Sequence, residues 1–200
     1  MRFDYAVWKS LPGILGVGYF MQTLHSRVER FTAALDAAGI PYGVCGGFAV
    51  IAWVTQANAD YVRNTKDVDV CMRRIDLERA AIALKPHGFE LTEVMGIPMF
   101  LDGPDATPKQ AVHIVLAEDP VPDLGPGVRD ENFHWARVEL DRLLTMKMIA
   151  NRIHDQTHIV DLYRSGAIDR TCIDRVPAHL RQRLKDVFDR CDREYGNSPH

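Results

Sequence analysis

The sequence predicts a mixed α/β (α+β) protein: a mixed β-sheet flanked by helices, followed by a helical C-terminal segment. Three observations predict it. Helical and strand-like apolar patterns alternate from Met21 to about residue 140. A glycine pair, Gly46-Gly47, stands between a short apolar run and a helical one. After Asp141 the pattern is helical only. Residues 1–20 read as an N-terminal extension, 21–140 as the α/β domain, and 141–200 as the C-terminal helical segment.

The elements follow in order. Leu24, Val28, Phe31 and Leu35 form one apolar stripe at helical spacing, ended by Gly39 and Pro41. Residues 41–45 read as a short buried strand, Gly46-Gly47 as a turn, and 48–57 as a mostly buried helix. "DVDVCM", from Asp67 to Met72, is the next strand, and 73–88 a helix closed by Pro86 and Gly88. Residues 89–94 and 97–101 read as paired strands around Gly96, 102–110 as a loop, and 111–117 as another strand. A Pro/Gly-rich loop over 118–132, a strand over 134–140 and two helices, 141–166 and 176–196, complete the chain. In the first of these helices Lys147, Asn151, His154 and His158 mark a polar face, opposed by Leu143, Met146, Ala150 and Ile153.

Composition narrows the function. A net charge of −3, with acids and bases interleaved, argues against a dominant nucleic-acid surface. The four cysteines are scattered, with no CxxC pair, so a structural zinc site is not expected, and all four read as reduced thiols of a cytoplasmic protein. The apolar stretch over 11–21 is too short for a membrane span, and Pro12 interrupts it. No phosphate loop of the Walker type, no GxSxG elbow and no HExxH helix occurs.

The chemistry gathers around Gly46-Gly47 and Asp67-Val68-Asp69. Residues i and i+2 of a strand point to one face, so the two carboxylates project together while Val68 and Val70 face the core. Adjacent carboxylates repel unless one is protonated or a cation stands between them. A hard divalent ion, Mg²⁺ or Mn²⁺, that also takes phosphate oxygens satisfies that need. The glycines allow a phosphate close to the backbone N–H groups that open the following helix. Arg63, Asn64, Thr65 and Lys66 supply cations, a hydroxyl and an amide beside the aspartates.

The glycine pair followed by Thr65-Lys66-Asp67-Val68-Asp69 at a strand start resembles the nucleotidyltransferase superfamily related to polymerase beta. Within it, the chain is similar to small bacterial proteins of the AbiEii toxin type. Lys147, Arg152, Asp155 and Asp161-Leu162 resemble those proteins' C-terminal helix, and the likeness spans roughly residues 22–170. The resemblance implies an enzyme that transfers a nucleoside monophosphate from an NTP to a hydroxyl on RNA, a protein or a small molecule. It implies Mg²⁺ or Mn²⁺ held by Asp67 and Asp69, with phosphate met by Gly46, Gly47 and Lys147 and by the cations near the aspartates. A toxin role implies an antitoxin partner.

The resemblance has one departure. The superfamily carries a third carboxylate on a later strand, and here that position is His113. His113 as neutral ligand or general base is one reading. Glu118 or Asp119 as the missing carboxylate is another. A degenerate, non-catalytic nucleotide-binding or interaction module is the third.

Overall fold

A computed structural model of the chain describes residues 15–118, 125 and 127–196, and these form two compact units. The first comprises the described residues up to Phe48 together with those from Asn64 to Val138. The second comprises Ala49–Arg63 and the described residues from Glu139 onward.

The first unit opens with helix α1 (Leu15–Ala37), which begins upstream of Met21. Its expected stripe is its buried face: Leu24, Val28, Phe31 and Leu35 are each at most 1% exposed. Strand β1 (Gly43–Cys45) leads directly into helix α2 (Gly46–Ala57). Strand β2 (Val68–Met72) starts one residue after Asp67, later than the sequence pattern predicts. Helix α3 (Leu77–Leu84) is shorter than the predicted run, because a 3₁₀ turn flanks it on each side. Strands β3 (Phe89–Val94), β4 (Ile97–Asp102), β5 (Val112–Leu116), β6 (Val128–Asp130) and β7 (Phe133–Arg137) follow. β6 lies inside the stretch expected to be all loop, and it pairs antiparallel with β7.

Among the described residues, seven strands make one mixed sheet in the order β3-β4-β5-β2-β1-β7-β6. β1 runs antiparallel to β2 and parallel to β7, and β2 runs parallel to β5. The central strands alternate as their sequences require: Val68 and Val70 on β2, and Val112 and Ile114 on β5, are buried, whereas Asp69 and His113 are half-buried on the other face. Phe31 of α1 meets Phe89 and Phe100 edge-on, at ring separations of 5.1 and 5.3 Å. Phe31→Ala removes this fully enclosed ring and is expected to destabilise the protein by about 3–5 kcal/mol, read as a lowered urea midpoint.

The second unit corrects one sequence expectation. The single helix predicted over 141–166 is two, α4 (Leu140–Ala150) and α5 (Ile153–Arg164). Asn151 breaks them by adopting a left-handed conformation (φ 48°, ψ 30°), its N–H closing on the Lys147 carbonyl. Asparagine is among the few non-glycine residues that tolerate this region. The break also undoes the predicted faces. Leu143, Leu144 and Met148 are buried, Ile153 is 82% exposed, and Lys147, expected on a polar face, is buried. Helix α6 (Ala178–Tyr195) packs Phe188 in a stack on Tyr163, 4.2 Å between ring centres. Arg183 of α6 donates to the Met148 carbonyl near the end of α4. The four cysteines are free and buried, and no described helix is long and apolar enough to cross a membrane.

Candidate functional site

Strand β1 ends at Cys45, which lies in register with Asp69 of the antiparallel neighbour β2. The next residue, Gly46, has φ +60° and turns the chain into α2. A Cβ built on Gly46 would stand 2.7 Å from Asp69 Cγ and 2.9 Å from Asp69 Cβ. The Asp69 carboxylate therefore occupies the space that any other side chain at position 46 would need. Glycine is required twice here, for its left-handed backbone and for the room it leaves. Gly47 follows as a buried residue of the first turn of α2. That turn carries no acidic side chain of its own, and the N–H groups that open a helix, which lack intrahelical partners, favour an anion.

Across β2 on the other side, Asp69 is in register with His113 of β5. His113 Nδ1 stands 3.9 Å from Asp69 Oδ1, beyond hydrogen-bond distance. His113 Nε2 lies 3.1 Å from the Pro108 carbonyl oxygen. The two side chains are 24% and 26% exposed, open to a ligand yet flanked by the sheet. Asp67, two residues ahead of Asp69, is exposed just outside the strand. Thr65 donates its hydroxyl toward the Asp67 carbonyl at 3.5 Å, which helps shape the approach to β2, and Lys66 is exposed beside it.

The fold thus brings Gly46, Asp69 and His113 together, with Asp67, Lys66 and Thr65 on the adjoining chain. Arg63 and Lys147 belong to the second unit. Arg63 is 2.8 Å from Asp161, and Lys147 is 2.8 Å from Asp155. Glu118 lies beyond Leu116, which pairs with Met72 at the far end of β2 from Asp69, and its carboxylate accepts the Arg74 backbone N–H. Asp119 lies outside the described residues.

Among the described residues, no three His, Cys, Asp or Glu side chains are grouped so as to hold a metal ion by themselves. Asp69 and the imidazole of His113 stand in register side by side, and the Asp67 carboxylate is exposed two residues ahead of Asp69. They fit a hard cation that takes one or two protein carboxylates and completes its shell from phosphate oxygens and water. They do not form a closed protein cage of the structural-zinc kind.

The glycines and the aspartates are visible in the sequence as short motifs, and His113 as the strand position where the resemblance implies a third carboxylate. The Pro108 carbonyl is not visible there, because a backbone acceptor carries no side-chain signal.

No family model and no curated protein sequence matches the chain. Solved structures do. The antibiotic-resistance factor ANT(2'')-Ia in solution superposes with a TM-score of 0.54 at 13% identity, covering 84% of this chain and 92% of its own. The same protein in complex with adenylyl-2''-tobramycin gives 0.52 at 10% identity, covering 82% and 98%. An antigenic nucleotidyltransferase-like protein from Paracoccidioides brasiliensis gives 0.50 at 19% identity, covering 87% and 89%. Over most of its length, the chain has the nucleotidyltransferase fold.

Proposed function

We propose that this chain transfers a nucleoside monophosphate from a nucleoside triphosphate to a hydroxyl acceptor. The observation that carries the reading is the Asp69 carboxylate seated against Gly46 at the start of α2, with His113 in register beside it. Asp69 on β2 and Asp67 just ahead of it would supply the carboxylates, the helix start would offer N–H groups to phosphate, and the imidazole beside Asp69 would serve as proton acceptor or third ligand.

Asp67 and Asp69 would hold Mg²⁺ or Mn²⁺, with His113 as a further candidate ligand. Such an ion neutralises triphosphate charge and aligns the α-phosphate for in-line attack. The chain's own residues do the remaining work. Gly46 and Gly47 leave the phosphate free to approach the backbone. Lys66 and Thr65 offer an ammonium and a hydroxyl next to Asp67. The acceptor oxygen bonds to the α-phosphorus as its proton passes to His113. The bond from the α-phosphorus to the bridging oxygen breaks, and pyrophosphate leaves. Arg63 and Lys147 are paired with Asp161 and Asp155 within the second unit.

The complex of ANT(2'')-Ia with adenylyl-2''-tobramycin favours a small-molecule hydroxyl as acceptor and an adenylyl group as the cargo. RNA and protein hydroxyls remain the other classes, and a toxin role with an antitoxin partner rests on the two sequence motifs alone. A second reading, a non-catalytic nucleotide-binding module, is favoured by the imidazole at the third-carboxylate position.

The test uses each of the four NTPs labelled at the α-phosphate, with Mg²⁺ and separately with Mn²⁺. Acceptors are RNA, mixed protein, and small hydroxyl compounds including tobramycin. Wild type is expected to label one class, and Asp67→Ala/Asp69→Ala to lose that labelling by about a thousandfold or more, since a metal supplies several kcal/mol of transition-state stabilisation. Bound but never transferred nucleotide would instead select the non-catalytic module.

A further inference from the structure

We propose that the Pro108 carbonyl holds His113 in a single neutral tautomer, with the proton on Nε2, and that Thr107 and Gln110 are the residues that position this carbonyl. The proposal rests on reading the Asp69–His113 face as the transfer site, and it names which imidazole nitrogen is available there.

A carbonyl oxygen only accepts. The 3.1 Å contact between His113 Nε2 and Pro108 O therefore requires the proton on Nε2. In the neutral ring the lone pair then belongs to Nδ1, the nitrogen on the Asp69 side at 3.9 Å from Oδ1. The opposite tautomer would place two lone pairs, Nε2 and the carbonyl, against each other. It would also place an N–H on the side where a proton must be taken or a ligand bond made. Fixing one nitrogen through its partner is how a protein sets the chemistry of the other.

Local hydrogen bonds hold the carbonyl in place. Pro108 begins a 3₁₀ turn over Pro108–Gln110, and its ring fixes φ at the first position. The Gln110 N–H donates to the Thr107 carbonyl at 2.8 Å. The Gln110 side-chain oxygen reaches back to accept both the Thr107 N–H and the Thr107 hydroxyl, each at 3.1 Å. The buried Ala111 donates to the same Pro108 oxygen at 3.3 Å, and β5 starts one residue later. Gln110 and Thr107 touch neither Asp69 nor His113 through these bonds. They act through the carbonyl, as positioning residues.

The tautomer is read directly. Protein labelled with ¹⁵N-histidine, without nucleotide or metal, gives long-range ¹H–¹⁵N correlations that separate a protonated ring nitrogen from one carrying a lone pair. His113→Gln assigns the signals, at a pH where the ring is neutral. Wild type is expected to show His113 protonated at Nε2 only. Gln110→Ala is expected to lose this pattern and show both tautomers. Gln110→Glu keeps an acceptor oxygen for Thr107 and is expected to restore the wild-type pattern. A wild-type His113 protonated at Nδ1, or a Gln110→Ala spectrum identical to wild type, overturns the proposal. Failed transfer with a single tautomer removes the function and keeps the positioning, whereas transfer with mixed tautomers does the reverse.

Discussion

Gly46→Ala is expected to abolish nucleotide handling at a cost in stability. The two effects have different origins. An alanine forced to φ +60° costs roughly 1–2 kcal/mol, the usual penalty of the left-handed region for a residue with a Cβ. The new methyl also collides with the Asp69 side chain, whose Cγ stands 2.7 Å from the place it must occupy. The carboxylate end of the side chain can rotate away, but Asp69 Cβ, 2.9 Å from the new methyl, is fixed to β2, so the backbone must also give and the collision adds to the cost. The carboxylate then leaves the position set by β1 and β2. A displacement of about 1 Å in a reacting constellation can reduce rate by about a hundredfold. Gly46→Ala should therefore melt below wild type and, while still folded, lose metal-dependent nucleotide binding. Wild-type affinity in this variant would show that Asp69 works from another position.

Asp155→Asn is expected to destabilise the second unit by several kcal/mol. Asp155 is 1% exposed and Lys147 is 6% exposed. One carboxylate oxygen accepts Lys147 Nζ at 2.8 Å, and the other accepts Arg152 Nε at 2.8 Å and the Arg152 backbone N–H at 3.2 Å. Removing the charge strands a buried ammonium, and breaking a buried pair in this way costs about 3–5 kcal/mol. The same cluster governs acid stability. Burial by itself would raise the Asp155 carboxyl, but the hydrogen bonds and charges of Arg152 and Lys147 outweigh it and hold it at about 2. Burial, aided by the Lys147 charge, pushes His158 down to about 4.

Both groups bind fewer protons folded than unfolded, so stability rises with pH through each window. The His158 contribution is full above its ordinary 6.5 and is lost as pH falls toward 4. The Asp155 contribution is full above 3.8 and is lost toward about 2. Thermal melts across this range should show a progressive decline. His158→Asn should flatten its upper part, and Asp155→Asn its lower part. A flat profile in wild type would contradict the account.

Much of the fold was legible because its signals are local. The stripe from Leu24 to Leu35 and the alternations of β2 and β5 follow from apolar spacing. Gly46 and Asp69 were legible as a pair of short motifs, although their direct contact was not: it arises from the β1–β2 register. Other features lacked a local signal. The break at Asn151 has neither glycine nor proline, and the helical pattern runs through it. β6 sits in a Pro/Gly-rich stretch and exists because β7 offers an edge to pair with. Lys147 looked like a surface cation because its partner, Asp155, lies across that unmarked break.

The most direct measurement is calorimetric titration of the four NTPs, with Mg²⁺ and separately with Mn²⁺, into wild type and Asp67→Ala/Asp69→Ala. The account predicts metal-dependent binding of at least one NTP by wild type and its loss in the double variant. Folded wild type that binds no NTP under either metal, or equal binding by the double variant, would contradict it.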